Sequence, residues 1–194
     1  MATIKLENGL LKFKVAPIQE GGTYGPIVEC ADLSSMTAET AEGETKIASG
    51  NRVIYSRKSK GSTTGSLGFY GMPKEVYATL FGSKENTQGA ILYGMKDQKP
   101  LVALIVEFTA VNPDTNIEED GYIIFPKVSF GELSEDAATK DADGNESINA
   151  KTLNFTATAL DNANRTYKLK AFGSTPSQIT KEMFDPKPSS SSVY

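Results

Sequence analysis

The residues able to do chemistry in this chain are few, and the first fact about them is an absence: there is no histidine. That removes the commonest general base and the commonest metal ligand together. A single cysteine, Cys30, permits neither an internal disulfide nor a thiolate zinc site. It sits in an apolar stretch at 27–33 that reads as a strand, where a small buried residue is expected and no neighbouring base is available to make a thiolate. Glu107 closes the apolar run 101–106, a place where a carboxylate invites an active-site reading. No second acid or nucleophile is spaced to work with it, so a salt-bridged or pore-facing Glu107 is expected. Residues 141–147, DADGNES, offer the first three ligand positions of a calcium loop in Asp141, Asp143 and Asn145. The sixth position, which needs glycine for its turn, is Glu146, and the twelfth is Thr152 rather than a bidentate glutamate. An acidic turn is the better reading. Phosphate-binding glycine motifs and the G-x-S-x-G nucleophile elbow are missing. The expectation is a non-enzyme with no catalytic residue, no metal and no cofactor.

Charge is more informative than chemistry. The net charge of −4 is mild, but acids and bases are segregated. Glu29, Asp32, Glu39, Glu42 and Glu44 come first, and Arg52, Arg57, Lys58 and Lys60 follow close together. Solvated surface would explain this, and so would complementary faces of a self-assembling subunit, where opposite potentials set register. A nucleic-acid site is disfavoured, because the basic cluster has one tyrosine, no aromatic platform and no evident basic groove. With 39% hydrophobic and 23% charged residues, the chain is long enough for one packed domain and is not a disordered sequence. No apolar run approaches the ~18 residues of a membrane span, and the start of the chain lacks a signal-peptide core. Synthesis and retention in a cytoplasm are expected.

The elements that must carry these residues are mostly strands. Leu11, Phe13 and Val15 alternate with Lys12 and Lys14, the period of a half-buried strand. Residues 27–36, 52–58 extended by 65–71, 91–95, 101–110, 121–130, 150–160 and 165–172 continue the series. Pro126 in the segment 121–130 suggests an edge or a bulge. A helix is predicted over 73–81: Pro73 opens it, Val76, Tyr77, Leu80 and Phe81 share a face, and Gly82 stops it. The strands at 150–160 and 165–172 read as a hairpin across Asp161–Asn164. From 37 to 51 the chain is polar, acidic and too weakly patterned for an element, so a long loop is expected there. Near the carboxyl end, Thr175 and Gln178 have capping-box spacing around Pro176, and Ile179, Met183 and Phe184 form a short apolar face. Residues 186–194 carry too little apolar content to fold alone. The predicted fold is mainly β: a β-sandwich or flattened barrel with one central α-helix, a long loop and a C-terminal arm. Residues 1–173 would form the sandwich domain and 174–194 the arm with its short helix.

The order of pieces from 66 to 160 carries a resemblance. GFYGMPKEVYATLFG, ILYGMKDQKP, the strand LVALIVEFTA, a turn containing Pro113 and Asp114, GYIIFPKVSFGEL, the acidic SEDAATKDADGNES and the alternating AKTLNFTATAL follow one another. This succession resembles the major tail protein, or tail tube protein, of bacteriophages with long non-contractile tails. The resemblance implies a β-sandwich with a helix that forms six-membered rings. These stack as a hollow tube in the virion, assembled in the bacterial host. It implies that strands from all copies join in an inner barrel through which double-stranded DNA passes without specific binding. Long loops and terminal arms reach between rings, and the tape-measure, terminator and distal tail proteins are further partners; no membrane is involved. Glu39, Glu42, Glu44, Lys46, Arg52 and Arg57, with Ile179, Met183 and Phe184 of the arm, are the candidate assembly contacts. The rival from another class is a stand-alone β-sandwich binding module such as an adhesin, which would need an exposed aromatic or metal-linked site; a tail terminator is a structural rival.

Overall fold

A computed structural model of the chain describes residues 4–133 and 149–186. It is mainly β, with 57% strand and 9% helix, one α-helix and antiparallel pairing throughout, consistent with a β-sandwich and not a closed barrel. The strands are β1 (Leu6–Pro17), β2 (Val28–Asp32), β3 (Ser35–Ser49), β4 (Arg52–Phe69), β5 (Lys84–Glu85), β6 (Ile91–Leu92), β7 (Val102–Asn112), β8 (Ile117–Leu133), β9 (Lys151–Ala157) and β10 (Leu169–Phe172), with helix α1 (Lys74–Phe81) between β4 and β5. One sheet runs β2-β1-β7-β8-β9-β4-β3, with β10 added beside β8, and β5–β6 form a separate two-stranded piece.

The sheet folds across itself around an apolar core. Phe13 of β1 and Phe69 of β4 are not on neighbouring strands, yet their rings lie 5.7 Å apart. Leu67, Leu104, Phe125 and Leu153 fill the space between them with no exposed surface. β7 is covered on both sides, as its unbroken apolar run requires: Leu104 and Val106 face this core, whereas Ala103 and Ile105 face a second cluster with Ala16 and Ile124. Val76, Leu80 and Phe81 seat α1 on the first core. The helix ends where Gly82 turns left-handed (φ 67°) and donates its N–H to Ala78 O at 3.0 Å. A β-carbon there would come within 2.4 Å of Gln98 O, so glycine is required on both counts.

Several expectations change. The segment 37–51 is not a loop: β3 runs through it to Ser49 and pairs with β4 along its length. Its residues are exposed on both faces, so no apolar stripe betrays the strand. β3 and β4 are joined at Gly50 and Asn51, both with positive φ (57° and 60°). That is the backbone a tight two-residue hairpin needs, and the Gly-Asn pair was its available signal. The strand at 52–58 extended by 65–71 is β4, which stops at Phe69. The final strand does not form a hairpin with β9. Both edges of β9 are taken by β8 and β4, so β10 crosses to pair with β8 over Gly121–Ile124. Pro73 stands just before the helix with an extended ψ of 145°. In the arm, no helix starts at Thr175; a single 3-10 turn covers Lys181–Phe184. Pro126 does mark an irregularity, because the β7–β8 register shifts between Val102 and Leu104, opposite Val128 and Phe125. The calcium-loop candidates Asp141, Asp143, Asn145 and Glu146, and the tail from 187, lie outside the described residues.

Candidate assembly surfaces

The groups singled out for chemistry are occupied structurally. Glu107 is 8% exposed and accepts an ion pair from Lys14 Nζ at 2.6 Å. Burial pushes the Cys30 thiol up to about 12, so it is protonated and inert in the fold. Tyr24 is likewise pushed up to about 12 by burial; its hydroxyl donates to Pro126 O at 3.2 Å. Among the described residues no group of three acidic or cysteine side chains is placed to hold a metal, and no helix is long and apolar enough to cross a membrane.

The unusual feature is the β3–β4 hairpin. β4 pairs with β9 only from Thr63 to Phe69. From Arg52 to Ser62 it has β3 alone, and β3 is the end strand of the sheet. Eleven residues at ~3.3 Å each make a two-stranded ribbon on the order of 35 Å long beyond the body. An isolated ribbon is only marginally stable in water, and both its edges present unpaired backbone groups. Glu42 stands opposite Lys60 and Glu44 opposite Lys58. Lys46 pairs with Glu44 at 2.9 Å and Ser56 donates to it at 2.8 Å, which holds that carboxyl below the usual range. Toward the tip, Ile47, Val53, Ile54 and Tyr55 are about half exposed. All six charged candidates, Glu39, Glu42, Glu44, Lys46, Arg52 and Arg57, lie on this hairpin.

The three arm candidates are placed differently. Ile179 and Phe184 are 5% and 3% exposed and cover Ala16, Ala103, Ile105 and Ile124 of the chain's own sheet. Phe184 also packs 5.9 Å from the Tyr24 ring. Only Met183, half-buried against the same cluster, keeps part of its surface. Apolar spacing revealed that these side chains would be covered, but not that this subunit covers them itself.

A basic groove, which the sequence reading did not anticipate, lies where β4 leaves β9. It encloses about 760 Å³, and Arg57, Lys58 and Lys60 of β4 face Arg165, Tyr167 and Lys168 across it, with no acidic residue in the lining. Lys60 Nζ donates to Tyr167 Oη at 3.4 Å and lies 5.6 Å from its ring centroid. Arg165 adopts φ 48°, a left-handed conformation that costs a non-glycine residue roughly 1 kcal/mol. Its turn is fixed from both sides: Arg165 N donates to Asn162 O at 2.9 Å, and Asn162 Nδ2 donates to Phe184 O at 3.1 Å. Residues about 107 positions apart meet here, which no local spacing announces.

A sandwich carrying a bare ribbon and a one-sign groove defines a structural β subunit. A family model described as phage tail tube protein matches residues 31–185, from the end of β2 through the 3-10 turn. The chain belongs to the phage tail tube protein family. It is therefore a structural protein of the virion tail, a major tail protein that self-assembles into a tube with other tail proteins. Among curated proteins, no sequence matches it.

Proposed function

We propose that six copies of this subunit close into a ring, and that rings stack as the tube through which double-stranded DNA passes into the host. The carrying observation is the ribbon: residues 42–60 pair only with each other and expose both faces and both edges. A lone subunit gains little from such an element, whereas a polymer gains a strand-pairing edge and a long contact. A head-to-tail contact closed by rotation makes a finite ring, and a second such contact stacks rings without limit. In this reading residues 1–173 form the tube domain, with Glu39, Glu42, Glu44, Lys46, Arg52 and Arg57 at ring–ring contacts, and residues 174–194 form its arm, where Met183 supplies a contact. DNA passes the lumen without specific binding, and the tape-measure, terminator and distal tail proteins cap or fill the tube. No catalysis is assigned. Negative-stain microscopy of the concentrated protein tests this. Six-fold rings or tubes of even bore are expected, and a protein that stays monomeric at high concentration overturns the reading.

A further inference from the structure

We infer that the basic groove is the receptor for the acidic segment 134–148 of a second copy. The inference rests on the polymer reading above and names the partner of one of its contacts. Five cations share the groove, and among the described residues Arg57, Lys58, Arg165 and Lys168 make no ion pair. Bringing like charges together is unfavourable unless anions arrive. The left-handed Arg165 points the same way: Asn162 and Asn164 stand in the same turn, and either side chain suits that backbone better, yet an arginine occupies it.

The chain is acidic overall, so the complement is near at hand. Residues 134–148 hold Glu135, Asp136, Asp141, Asp143 and Glu146 against the single base Lys140. That segment leaves β8 at Leu133 and enters β9 at Lys151, whereas the groove begins beyond the other end of β9, at Thr158. Seven residues of strand, about 23 Å, separate the groove from Lys151, where β9 takes up the chain after that segment. A copy displaced along that axis brings segment against groove, which is the arrangement of a heterologous, repeating contact. Opposite charge on the groove and on the segment also fixes which surface meets which. Occupied in this way, the groove is not open to the phosphates of DNA in the lumen.

The test uses two full-length variants. One carries Arg57→Glu, Lys58→Glu and Lys168→Glu; the other carries Glu135→Lys, Asp136→Lys and Asp143→Lys. Each alone raises the critical concentration for polymerisation, followed by light scattering, by about tenfold or more, the size of one close charge pair. An equimolar mixture restores it to near the wild-type value, because each copy then meets a neighbour of opposite sign; this also shows that both variants are folded. Raising the salt to about 1 M weakens wild-type polymerisation. The inference is overturned if the 134–148 variant polymerises like wild type. It is equally overturned if the mixture is no better than either variant alone, the outcome of a contact within one chain. Duplex DNA binding to the groove while the 134–148 variant assembles normally assigns the cations to phosphate and also overturns it. Failure of the wild-type chain to polymerise is a different result, which removes the ring-and-tube proposal itself.

Discussion

The carboxylate of Glu107 illustrates how a residue that looks catalytic is decided by its partner. Lys14 reaches it from the neighbouring strand at 2.6 Å, with the two side chains only 21% and 11% exposed. Removing one member leaves a charge with little water around it. Lys14→Ala should therefore lower unfolding free energy by about 3 kcal/mol in urea titrations, whereas the paired change Lys14→Met with Glu107→Leu should be close to neutral. A catalytic or pore-lining carboxylate would not show that non-additivity. Alkaline pH gives a second residue-scale prediction. Cys30 and Tyr24 ordinarily ionise near 9 and 10, and burial pushes both up to about 12 in the fold. Above pH 9 the unfolded chain therefore holds fewer protons than the folded one, so stability falls as pH rises. Thermal unfolding should show a decline beginning near pH 9, and Cys30→Ala should delay its onset to near pH 10. An unchanged onset in that variant would mean the thiol is not the group responsible.

At the level of elements, legibility followed burial. The strand at 101–110, the helix at 73–81 and the alternation at 11–15 were readable because one or both faces meet the core, which imposes a period on apolar residues. The ribbon was unreadable for the converse reason: Thr, Ser, Glu and Lys alternate with one another, and no period in hydrophobicity survives. Pairing of β10 with β8 was hidden because it depends on which edges remain free after β9 is enclosed, a property of the whole sheet. The basic cluster at 52–60 was visible, while Arg165 and Lys168 joined it only through tertiary structure. The arm carries its own prediction. Phe184→Ala should cost about 3 kcal/mol by urea denaturation, as for other buried phenylalanines, and the exposed Tyr70→Ala should cost under about 0.5 kcal/mol. Equal small losses would show that the segment does not hold the sheet face it covers.

For the molecule as a whole, the hairpin charges offer a way to test polymerisation apart from folding. Replacing Glu39, Glu42 and Glu44 by lysine leaves the sandwich core untouched, so the unfolding midpoint should move little, while stacked tubes become shorter or absent in micrographs. Tubes of normal length at both low and high salt would exclude charge matching along the hairpin. The same hairpin has a mechanical corollary. Since neither of its sides is dry, sliding its strands past one another by a residue sacrifices scarcely any buried surface, and what opposes it is the Ser56–Glu44 hydrogen bond, the facing charges Glu42–Lys60 and Glu44–Lys58, the bulges near Thr40 and Ile47 and the turn at Gly50. In the proposed tube, a joint between subunits must give and re-form without melting the bodies it connects, and this strip would be where that compliance lies.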